Sequence, residues 1–156
     1  MKHKKLSHFV AVSLALIGST AQANIVFNLV NPDVCSTLQG TWNGKGTVTA
    51  LGGLLSCVYT GTADVSQGQS AKDFNMSIYL NKQSGSKACP PTESLTLPGT
   101  CENGMLNIDS TDMANLNGTV DNTGKNANLT GTVTFEAPPL GKVTAKVKEM
   151  VLHKIS

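Results

Sequence analysis

The chain has 156 residues, with 12 basic and 10 acidic side chains, 4 cysteines and no arginine. A chain of this size fits one domain and can bury roughly two-thirds of its unfolded surface. The near-balance of charge leaves no basic footprint for nucleic acid, and without arginine the planar bidentate capture of phosphate is not expected.

Residues 1–23 read as a secretory signal peptide of bacterial type. Lys2, Lys4 and Lys5 make a charged start, Phe9 to Ile17 is an almost unbroken apolar run, and Ala21-Gln22-Ala23 is a small-x-small cleavage site. The run is about half of what a bilayer crossing needs. No second apolar run follows, so no transmembrane segment is expected. The position after the cleavage site is Asn24 rather than cysteine, which argues against a lipid anchor. The expected product is residues 24–156, a single secreted or periplasmic domain. Three lysines leave with the signal, so nine lysines face ten acids and the net charge becomes −1.

Cys35, Cys57, Cys89 and Cys101 form an even set in an exported chain, which reads as disulfides. Four cysteines allow three pairings. The favoured pairing is Cys89–Cys101 with Cys35–Cys57, because Pro90 to Thr100 reads as a Pro/Gly-rich loop that a bridge would pin. Such a bridge is worth roughly 3 kcal/mol in the chain-entropy account. A metal site would need C-x-x-C spacing or nearby histidines, and the sequence has neither. No metal and no cofactor are expected.

Asn24 to Val30 is an apolar N-terminal arm. Pro32 to Leu38 reads as one helical turn, with Asn31 as its cap. Beyond it the pattern has period two. Leu38, Gly40, Trp42, Gly44, Gly46, Val48 and Ala50 alternate with polar residues until Gly52-Gly53. Cys57, Tyr59, Gly61, Ala63 and Val65 make a second run, and Phe74, Met76, Ile78 and Leu80 a third, with Tyr79 outward. A short strand at Ser94 to Leu97 and another at Met105 to Ile108 follow. Ala114, Leu116, Gly118 and Val120 pair as a hairpin with Ala127, Leu129, Gly131, Val133 and Phe135 across the turn Asp121 to Asn126. The last run sets Val143, Ala145, Val147 and Val151 inward. A helix over Lys142 to Lys154 is the weaker alternative there, since the run is rich in β-branched residues.

Seven or eight strands and no strong helix predict an all-β domain. The inward faces are unusually rich in glycine, which suits strands that coil sharply or approach closely. A small antiparallel up-and-down β-barrel of about eight strands is therefore expected, with a β-sandwich as the alternative.

Gly40-Thr41-Trp42 resembles the G-x-W signature that opens the first strand of lipocalins and of the wider calycin group. The stretch Cys35 to Asn43 is similar to the opening of an avidin strand. The resemblance implies an eight-stranded barrel in which Trp42 plugs the closed end. In lipocalins this tryptophan packs against an arginine of the last strand, so Lys148 or Lys154 would have to replace it. Avidins cage biotin with several tryptophans. Trp42 is the only one here, so biotin binding is rejected.

Catalysis has little to work with. His153 is the one histidine after the signal, close to the chain end and expected at the surface. The cysteines are expected to be oxidised, the acids are scattered, and Asp109 to Asp112 reads as a solvated loop rather than a calcium site. Sequons at Asn75, Asn117 and Asn128 go unused in a bacterial protein. No enzymatic activity is expected. The leading expectation is a binding protein whose barrel holds a small apolar ligand. Trp42, Tyr59, Met76, Ile78, Leu116, Leu129, Val133 and Phe135 are its expected lining, with Gly44, Gly46 and Val48. The alternative is an inhibitor or host-interaction protein that binds an extracellular protein partner through its arm and loops.

Overall fold

The computed structural model describes residues 33–156. The expected signal peptide of residues 1–23, the expected arm of residues 24–30, and Asn31 with Pro32 lie outside the described residues. Eight antiparallel strands close into one up-and-down barrel. They are β1 Gly40–Ala50, β2 Leu55–Gln67, β3 Asp73–Gly85, β4 Thr92–Glu102, β5 Met105–Ser110, β6 Ala114–Val120, β7 Asn126–Glu136 and β8 Lys142–Lys154. Each strand pairs with the next in sequence, and β8 returns to pair with β1. The domain is all-β and a barrel, not a sandwich.

The period-two pattern dictates which side chains face inward, because a one-residue slip would turn every apolar group to solvent. On β1 the inward set runs Trp42, Gly44, Gly46, Val48. On β2 it runs Cys57, Tyr59, Gly61, Ala63. The two sets stand opposite each other in register. Two inward glycines are required by their surroundings. A side chain at Gly118 would collide with the Asn128 carbonyl. One at Gly131 would strike the Asn115 carbonyl, and its φ of 141° suits only glycine. Gly131 also sits where the β7–β8 ladder shifts register.

Three expectations need correction. The last run is a strand, but its phase changes. A bulge separates Val147 from Glu149 in the pairing with β1, and an extra residue reverses the alternation beyond it. Met150 and Leu152 therefore face the core, while Val151 pairs outward beside Lys45 and Asn128. Second, the helical turn is a short 3-10 turn, Val34–Thr37. Its described cap is Asp33, whose side chain accepts from the Cys35 amide at 3.1 Å.

Third, the disulfides are Cys35–Cys101 and Cys57–Cys89, with Cα separations of 5.5 and 6.6 Å. The expected loop between Cys89 and Cys101 is mostly β4, which runs the height of the barrel. At about 3.3 Å per residue its ends are too far apart to bridge. β1 separates Cys35 from Cys57 in the same way. Each observed bridge instead staples one end of the barrel.

Those ends differ. The first carries the 3-10 turn, the β2–β3, β4–β5 and β6–β7 connections and Cys35–Cys101. The second carries the β1–β2, β3–β4, β5–β6 and β7–β8 connections and Cys57–Cys89. Below they are the closed and open ends.

Candidate ligand cavity

The closed end is sealed by hydrogen bonds around one aromatic. Trp42 is 2% exposed, and its Nε1 donates to the Leu38 carbonyl at 2.9 Å. That bond satisfies the one polar atom of a buried indole. Lys154 stands opposite Trp42 in the β1–β8 ladder. Its Nζ donates to the Thr37 carbonyl at 2.6 Å. Of the two lysines expected near Trp42, Lys154 is the one at this end; Lys148 is exposed at the bulge. The Thr41 amide donates to Ser156 O at 3.0 Å, and the Ile155 amide donates to Thr41 O at 2.8 Å, tying down the last residues.

The β6–β7 turn at this end is held by Asp121. Its carboxylate accepts from Asn126 and Thr123 side chains and from three backbone amides. The Asn126 bond first, then the Thr123 bond, hold its carboxyl well below the usual range.

The open half is not filled. A cavity of about 370 Å³ lies between β1–β4 and β6–β8. Val48, Tyr59, Ile78, Leu80, Leu95, Leu97, Leu116, Val133, Phe135, Val147 and Met150 line its body. Pro90, Glu93 and Met113 stand among its rim. Tyr59 donates its hydroxyl to the Pro90 carbonyl at 3.0 Å, joining β2 to the β3–β4 loop. Burial, and secondly the charge of Glu93, push the phenol up to about 12. The body of the cavity is thus apolar, and Glu93 is the one residue of its lining that carries a formal charge.

The cavity opens through the wall as well. β4 pairs with β5 only over Gly99–Glu102, so Thr92–Pro98 hydrogen-bond to β3 alone. Across the gap, β6 begins at Ala114 opposite Val133, and Thr134–Glu136 of β7 have ladder partners only on β8. Ser94, Thr96 and Thr134 lie on the outward phase of their strands yet border the cavity.

Of the expected lining, the structure brings together Tyr59, Ile78, Leu116, Val133 and Phe135, with Val48. It separates Trp42 and Leu129, which pack in the closed half around a void of about 20 Å³. Met76 lies between the halves. It borders a void of about 30 Å³ with Gly44 and Gly46. The sequence reading missed Leu80, Leu95, Leu97, Met150 and Glu93 as lining. The expected strand Ser94 to Leu97 is shorter than β4 because Pro90, Pro91 and Pro98 flank it, which leaves Glu93 outside it, and the bulge hides Met150.

Other candidate groups sit outside the cavity. His153 is on the outer face of β8, with Nδ1 2.6 Å from Asn126 Oδ1. Tyr79 is half exposed on β3. Among the described residues no cluster of three or more His, Cys, Asp or Glu side chains gathers as a metal site, and no helix is long and apolar enough to cross a membrane. No family model matches the chain, and no curated protein matches its sequence. The fold and the bridges define a disulfide-bonded, closed eight-stranded antiparallel β-barrel.

Proposed function

We propose that the protein is an exported, lipocalin-like binding protein that holds a small apolar ligand in the open half of its barrel. One observation carries this reading: the apolar cavity of about 370 Å³. Unfilled apolar volume weakens a core, and a chain of this size has ample side chains to close it. The volume lies within the range of ligand sites, and its lining has their composition. Two intramolecular disulfides suit an oxidising compartment and so support export to the periplasm or beyond.

Native mass spectrometry of the purified protein tests the proposal. A stoichiometric apolar molecule that copurifies supports it. A clean ligand-free mass in every preparation counts against it.

A second reading, a protein-binding module, is favoured by the loops of the open end. Leu51, Leu54, Met113 and Leu140 are all exposed there, Leu54 by 89%. Exposed apolar tips clustered at one end suit a partner surface. Under either reading we propose that the protein is not an enzyme. Support comes from the position of His153, engaged with Asn126 on the outer wall, and from the oxidised state of all four cysteines.

A further inference from the structure

We infer that the cavity takes a cationic amphiphile, with an apolar body inside the barrel and an ammonium group set against Glu93. This rests on the reading of the cavity as a ligand site and adds the chemistry of its head group.

Glu93 stands opposite Leu80 in the β3–β4 ladder, so it shares the inward phase of that leucine. It is partly buried. Among the residues that line the cavity it is the one carboxylate, and the only other ionisable group is the Tyr59 phenol. Among the described residues no cation forms an ion pair with it. Among the described residues the one ion pair is Lys72–Glu102, far off at the closed end. Lys82, also near the mouth, gives its ammonium to the carbonyls of Ser86 and Cys89 at 3.1 and 2.7 Å. Those bonds turn it into the β3–β4 loop rather than towards the carboxylate. The Tyr59 phenol responds to the charge of Glu93, so that charge is felt inside the barrel.

A carboxylate at the lip of an apolar chamber is partly stripped of water and lacks a counter-charge. A ligand with a hydrogen-bonding cation restores both, through a charge-assisted bond. An alcohol restores only part, and a carboxylate is repelled. The chamber sets how much of the body is enclosed. At the roughly 30 Å³ of liquid volume that a water molecule takes, about 370 Å³ leaves room for at least about a dozen heavy atoms, enough for a ten-carbon chain with its head group.

An inward charge beside an unpaired strand edge can also serve only to deter edge-to-edge association. That role predicts no preference among ligand head groups, so the two are separable. Isothermal titration of the purified protein with decylammonium, decanol and decanoate compares three heads on one tail. The expected order is decylammonium tighter than decanol by about tenfold, with decanoate weaker than decanol. Glu93→Gln should bring amine and alcohol within about twofold, chiefly by weakening the amine. Glu93→Lys should favour decanoate, and covers the case in which the glutamine variant fails to fold. Equal binding of amine and alcohol to the native protein overturns the head-group assignment and leaves the cavity reading intact. So does an amine preference that survives Glu93→Gln. If none of the three binds, the cavity reading falls, and this inference with it.

Discussion

Trp42 and Lys154 face each other across the β1–β8 ladder and hold the same 3-10 turn. The indole donates to the carbonyl of Leu38, and the ammonium donates to the carbonyl of Thr37. One anchors the turn from within the core and the other from the strand beside it. A lysine here supplies a point charge with one used donor, where a guanidinium would offer a fork.

Trp42→Ala should therefore cost about 3–5 kcal/mol in denaturant unfolding, the usual range for a large buried aromatic. Lys154→Ala should cost about 1 kcal/mol. Because both residues fix one turn, the double variant should lose less than the sum. Strict additivity in a double-mutant cycle would show that the two act separately.

Peptide mapping without reduction should recover Cys35 joined to Cys101 and Cys57 joined to Cys89. Sequence separations of 66 and 32 give each bridge about 4 kcal/mol in the chain-entropy account. Replacing Cys57 and Cys89 by alanine should disturb amide protection at the open end first. Replacing Cys35 and Cys101 should disturb the closed end. Protection lost uniformly in both variants would contradict the separation of the staples.

How much of this was legible beforehand follows from what each feature depends on. The strands of Trp42, Tyr59, Ile78, Leu116 and Leu129 show in the sequence because alternation is local. The pairing of Cys57 with Cys89 does not, since it depends on which barrel end each strand reaches. Pro98 disguised β4, although it lies just beyond the last β4–β5 pair, where no ladder bond to β5 is broken. The inward turn of Met150 hinges on an extra residue in β8, which no periodicity announces. Whether Val133 and Phe135 pack tightly or border a chamber depends on summed volumes from seven strands. No single segment carries that information.

The Tyr59 phenol makes a prediction about alkaline pH. Its value is raised from 10.0 to about 12 in the folded protein. Between those values the native state holds a proton that the unfolded state has released. The associated stability is complete below pH 10 and drains away as the pH climbs towards 12. Tyr59→Phe should flatten that decline, while losing about 1 kcal/mol at neutral pH with the bond to Pro90. Melting curves of both proteins from pH 8 to 11.5 make the comparison; parallel curves would refute the assignment.

Filling the chamber gives the most direct test of its use. Val133→Phe adds bulk at the cavity wall, where open space already exists. It should lower the affinity for an apolar fluorescent probe at least tenfold and leave the melting temperature unchanged or higher. Trp42→Phe, in the closed half, should leave probe affinity within about twofold. Equal effects from both variants would place the probe elsewhere.

Under the proposed ligand reading, the parted wall between β4 and β7 sets the rules of admission. A sealed cup accepts only guests shorter than its depth and admits them head-on. A vessel slit along its side can grip one stretch of a longer molecule and let the remainder trail into solvent. Length is then no bar to entry; thickness is.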